Sequence, residues 1–96
     1  MIVTWDESKR RSNLAKHGLD FRDALEVLES RFRFDVPVVR NGEARIFAIA
    51  YSAKYLAVLV TVVKDDDRVR IISFRHASEE ERDVYYDWLE NDYEDD

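Results

Sequence analysis

The stretch RVRIISFRHASEEER, Arg68 to Arg82, decides the fold. Arg68 to Phe74 is rich in β-branched and aromatic residues and reads as a strand. Arg75 and His76 follow it, and Ser78 with Glu81 forms a Ser-x-x-Glu capping box that opens a helix with Val84, Tyr85, Trp88 and Leu89 as its apolar stripe. A guanidinium and an imidazole are therefore delivered on a rigid strand end to the start of a helix. These are groups that hold a phosphate and move a proton beside it. Alternation sets Arg68, Arg70, Ile72, Phe74 and His76 on one face of the strand and Val69, Ile71, Ser73 and Arg75 on the other. The plain alternative for Arg75 is an ion pair with Glu79 to Glu81 and nothing more.

Upstream, Asp65 to Asp67 makes a tight turn, preceded by strands Tyr55 to Lys64 and Glu43 to Tyr51, which Ser52 to Lys54 connect. Asn41-Gly42 is a hairpin signal, and Arg31 to Val39 alternates loosely until Pro37 confines it to an edge. Links this short require antiparallel pairing. Nearer the N-terminus, Ile2 to Trp5 reads as a short edge strand. Asp6 caps a basic helix, DESKRRSNLAKH, which Gly18 closes in the left-handed conformation. Asp20 caps a second helix whose Phe21, Ala24, Leu25 and Leu28 face the core. The order predicts a single α+β domain: an antiparallel sheet of about four strands, two N-terminal helices and one C-terminal helix. Residues 1–90 form the domain, and 91–96 form an acidic, frayed tail.

The 96 residues allow one compact domain. Without cysteine there is neither a disulfide nor a thiolate metal site, and two histidines lack a ligand-like spacing, so metal-free chemistry is expected. No signal-peptide pattern or membrane-length apolar run occurs, which makes the cytoplasm the expected location. The net charge of −6 opposes nucleic-acid binding when taken whole. Ten of the 21 acids lie from Glu79 onward against the single base Arg82, leaving 11 acids and 14 bases in residues 1–78. The body is thus mildly basic, and a local positive surface survives.

Arg45 alternates with Phe47, Ile49 and Tyr51, so an arginine and two aromatics share a strand face suited to splayed RNA bases, or to a core with a snorkelling arginine. Lys16 and His17 end the basic helix, where the dipole favours an imidazolium that can donate a proton or simply cap the helix. No P-loop, dinucleotide fingerprint or nucleophile elbow is present.

Five blocks in order, Trp5-Asp6-Glu7-Ser8-Lys9, Asn13 to Phe21 (NLAKHGLDF), Glu43-Ala44-Arg45, Arg68 to Ala77 and Glu81-Arg82, resemble the BrnT family of bacterial toxins across nearly the whole chain. The resemblance implies a RelE-like fold and a metal-independent endoribonuclease without cofactor. It also implies an mRNA interferase that inhibits translation and growth until a BrnA-like DNA-binding antitoxin neutralises it in a hetero-oligomer. The implied chemistry is attack of a 2′-hydroxyl on the adjacent phosphate. Carried onto this chain, it gives Arg45 and Arg75 for charge stabilisation, His17 or His76 for acid and base, and Lys16, Arg70 and Tyr51 for substrate contacts. A lysine is common in the family where His76 stands. The competing expectations are a degenerate toxin-fold module that only pairs with a DNA-binding antitoxin, which the −6 charge favours, and a small-ligand domain with Arg75 as a carboxylate clamp.

Overall fold

The computed structural model describes residues 1–91. In chain order it contains β1 (Ile2–Thr4), α1 (Glu7–His17), a 3-10 turn (Phe21–Asp23), α2 (Leu25–Leu28), β2 (Phe34–Arg40), β3 (Glu43–Ser52), β4 (Tyr55–Asp65), β5 (Arg68–His76) and α3 (Glu79–Asn91). The sheet order is β1-β5-β4-β3-β2. β2 to β5 form the expected antiparallel meander, and β1 lies parallel to β5 with Thr4 opposite Arg70. The sheet is therefore mixed and has five strands rather than about four antiparallel ones. Of the tail expected over 91–96, Asn91 is the last residue of α3, and 92–96 lie outside the described residues.

Turn chemistry sets the register. Asn41 and Gly42 both take positive φ, 53° and 77°, giving a two-residue turn whose twist matches the β2–β3 hairpin. Between β3 and β4, Ala53 sits at φ 54°, strained for a residue with a Cβ. The Glu26 carboxylate of α2 accepts its N–H at 3.1 Å and holds the turn.

Helices cover both faces of the sheet. Under α1, the 3-10 turn and α2, Phe21, Ala24 and Val27 pack on Ala48, Ala50, Leu59, Ile71 and Phe74. Under α3, Tyr85, Trp88 and Leu89 pack on Ile49, Leu56, Val58 and Phe34. The expected second helix is broken: its first turn is 3-10, so the buried positions recur every three residues through Phe21, Ala24 and Val27. Leu25, expected in the core, is exposed.

Having almost no apolar stripe, α1 is fastened by polar contacts. Asp6 caps its start through the N–H groups of Ser8 and Lys9, and Gly18 at φ 74° closes its end as expected. Buried Arg10 bridges Glu7 and Asp20 at 2.6 and 3.1 Å. Asn13 does the work of a strand. Its Nδ2 donates to the carbonyl of Phe74 at 2.7 Å, and the Phe74 N–H donates to its Oδ1 at 3.2 Å. One carboxamide thus pairs the edge of β5 beyond Arg70, where β1 has ended. This lays α1 along that edge with His17 at its end near the last residues of β5.

Candidate active site

A bulge in β5 brings the charges together. Leu59 pairs with Phe74 and Val60 with Ser73, but Thr61 pairs with Ile71, so Ile72 is an extra residue. The insertion reverses the alternation expected for this strand. Arg70 and Ile72 come to share a face with Ser73 and Arg75, while Ile71 and Phe74 turn to the opposite core. Across the sheet, Arg45 and Phe47 share the Arg70–Arg75 face, as the alternation of β3 predicted.

α3 covers only one end of that face. Beside it the floor of Phe47, Val60, Val62 and Ile72 is left open as a groove of about 580 Å³, walled by Lys9, Arg40, Arg45, Lys64, Arg70 and Arg75 with the single acid Glu43. Arg45 is paired with Glu43 at 3.1 Å and Arg75 with Glu81 at 2.7 Å. Among the described residues the other four cations have no acidic partner. Four unneutralised positive charges over an apolar floor attract a polyanion despite the net charge of −6.

The Arg75–Glu81 pair leaves the guanidinium usable. Glu81 takes the terminal edge, with Nη1 donating to Oε1 at 2.7 Å and Nη2 to Oε2 at 2.8 Å. The other edge, Nε–H with the second Nη2 proton, has no partner among the described residues and presents a complete fork to a phosphate. Glu81 is itself held by the expected capping box, accepting from the Ser78 N–H at 2.8 Å while its own N–H donates to Ser78 Oγ at 3.1 Å. The arginine and the start of α3 are thereby one unit.

Arg75 holds the Glu81 carboxyl down at about 2, from an ordinary 4.5, against the opposing effect of burial. Because the folded-state value is depressed, this stabilisation is full above about pH 4.5 and is lost as the pH falls toward 2. Glu81→Gln is expected to flatten the pH dependence of stability across that interval, read as the urea midpoint at successive pH values. Identical slopes for variant and parent would contradict the assignment.

The remaining candidates divide. His17 is depressed below its ordinary 6.5, by burial first and then by the charges of Lys16, Arg75 and His76. The helix dipole alone predicts the opposite direction, and burial, followed by the neighbouring charges, outweighs it. His17, Lys16, Arg75 and His76 are thus neighbours, although Lys16 and the histidines do not line the groove. His76 is exposed, pairs with Ala57, and lies edge-on to Tyr55 at 5.1 Å. Tyr51 shares the Arg45 face but sits beneath α3, its hydroxyl bonded to that of Tyr86 and its ring edge-on to Tyr85. It does not reach the groove. Lys9, Arg40 and Lys64 were not singled out from the sequence. Lys64 continues the alternation of Val60 and Val62, and Arg40 ends β2 opposite Glu43, so both carried a readable signal.

The family model for the ribonuclease toxin BrnT of type II toxin-antitoxin systems matches residues 5–81. The chain belongs to the BrnT family. The match contains all six groove cations and ends on Glu81, which orients Arg75. The 1.1 Å crystal structure of the Brucella abortus ribonuclease toxin BrnT is similar at 31% identity and a TM-score of 0.67, over 81% of this chain and 99% of that one. No curated protein matches the chain.

Proposed function

We propose that this BrnT-family chain is a metal-independent endoribonuclease, RelE-like in its use of an open sheet face. In this reading it acts on RNA in the cytoplasm and inhibits translation and growth until a BrnA-like DNA-binding antitoxin covers the groove. The observation that carries the reading is the free fork of Arg75 at the end of a groove holding four unpaired cations. Single-stranded RNA tracks such a groove through its phosphates. Cleavage needs a base for the 2′-hydroxyl, donors for the charge growing on the phosphorane oxygens and an acid for the leaving 5′-oxygen. The depressed His17 is neutral near pH 7 and suits the base. Arg75 meets the phosphorane oxygens through Nε and Nη2, Arg45 and Arg70 hold the adjoining backbone, and His76 supplies the leaving-group proton. Among the described residues no group of three His, Cys, Asp or Glu side chains is arranged to hold a metal ion. Among the same residues no helix is long and apolar enough to cross a membrane.

Expression without a partner is expected to stop growth. With purified protein, kcat/KM for RNA is expected to fall as pH drops through the lowered pKa of His17, on the acid side of 6.5. His17→Gln is expected to abolish that limb and slow cleavage by on the order of 10²–10⁴-fold. An unchanged profile in His17→Gln would remove His17 from the chemistry. The pairing of Arg45 and Arg75 with carboxylates favours the alternative of a module that only binds its antitoxin. Normal growth on expression, with RNA left intact at high protein concentration, would select it.

A further inference from the structure

Beside the cationic groove lies a second cavity of about 330 Å³, between the start of α3 and the β2–β3 hairpin, with Val36, Phe47, Ile49 and Val84 as walls. Its size is at the low end of small-ligand pockets. Phe47 belongs to both cavities, and the Arg75 guanidinium lies over its ring at 6.0 Å from the centroid. A nucleotide whose phosphate meets the free edge of Arg75 therefore has this slot beside it. The Phe47 ring offers a flat face for an unstacked base, and the half-exposed Val84 offers an aliphatic wall beside it.

The rim selects among bases. Both Glu81 oxygens are occupied by Arg75, but the Glu80 carboxylate has no partner among the described residues and lines the slot. Ser78 Oγ accepts from the Glu81 N–H, so its own proton remains free to donate. One hydroxyl donor beside a carboxylate with two acceptor oxygens complements guanine, whose Watson–Crick edge presents O6, N1–H and N2–H in that order. Adenine and cytosine each offer a single amino group to the carboxylate, and uracil a single imide N–H. A charge-assisted bidentate contact is available to guanine alone.

We infer that the slot between Phe47 and Val84 is a base-recognition pocket that makes cleavage prefer a guanine flanking the phosphate held by Arg75, with Glu80 as the specificity-determining residue. The inference rests on the ribonuclease reading and adds the substrate base to it.

The test uses the full chain and single-stranded RNA oligonucleotides that differ only in the bases flanking one cleavable phosphate. For the parent protein, kcat/KM is expected to be on the order of ten-fold higher with guanine than with any other base. Glu80→Gln, which changes charge but hardly shape at an exposed position, is expected to reduce that ratio to about two-fold or less. Val84→Arg, which fills the slot, is expected to do the same, with thermal melting of both variants confirming the fold. Cleavage by the parent without a guanine preference would overturn the inference and leave the ribonuclease reading intact. A preference that survives both substitutions would also overturn it, because the base would then be read elsewhere. RNA left uncut by the parent would overturn the ribonuclease reading and this inference with it.

Discussion

Replacing Arg75 by alanine is expected to slow RNA cleavage by on the order of 10²–10³-fold while the chain stays folded. The size follows from position. Arg75 is the groove cation with a rigid backing: Glu81 holds its terminal edge, the Phe47 ring lies beneath, and the lateral edge is left for two phosphorane oxygens. Donors held in place before the reaction need no reorganisation when charge develops. Lysine at this position is expected to restore little, because an ammonium cannot satisfy Glu81 and a phosphate through two parallel forks. Structurally the loss is milder, since the capping box between Ser78 and Glu81 survives without the arginine. Single-turnover cleavage by Arg75→Ala and Arg75→Lys, with circular dichroism as the control for folding, checks both statements. Cleavage within a few-fold of the parent would displace Arg75 from the centre of the site.

Asn13→Ala is expected to lower the folding free energy by about 3 kcal/mol, because it strips partners from a buried N–H and a buried C=O of Phe74 together. Against a domain stability of about 5–15 kcal/mol this is a large fraction. It would appear as a reduced urea midpoint with an unchanged slope. The effect reaches the site as well. Asn13 fastens α1 to β5, and α1 carries His17 to the partly buried place beside Arg75 where burial, and then the neighbouring charges, depress it. Loosening the helix is expected to move the His17 pKa upward toward its ordinary 6.5, read by the NMR titration of its ring protons. A destabilised variant with an unmoved His17 would show that other contacts hold α1 in place.

Features set by local chemistry are legible in the sequence. The capping box at Ser78 and Glu81, the Asp6 and Gly18 ends of α1, the Asn41-Gly42 turn and the shared face of Arg45 and Phe47 all depend on neighbours within a few residues. What escaped depends on pairing at a distance. Ile71-Ile72-Ser73 looks like ordinary alternation, and only its register against Val60 and Thr61 creates the bulge that sets Arg70 beside Arg75. Ile2 to Trp5 is legible as a short edge strand, but its parallel pairing with β5, which makes it the fifth strand of the sheet, is not announced by three residues. Tyr51 was given the correct face but the wrong end of it, since α3 covers one half of the sheet and leaves the other open. The end of α1 alone points His17 upward, whereas burial first, and then the charges of Lys16, Arg75 and His76, turn its shift downward. Lys9, on a uniformly polar helix, resembles a solvated surface charge until the groove assembles it with Arg40 and Lys64.

In the proposed function, the open cationic half of the sheet cuts RNA without a metal ion. The most direct measurement of this is the cleavage of a single-stranded RNA by purified parent protein in excess chelator, with Arg75→Ala run alongside. Discrete cuts by the parent that persist in chelator and fade in the variant are expected. RNA left intact by the parent in chelator, or cut equally by the variant, would contradict the proposed function.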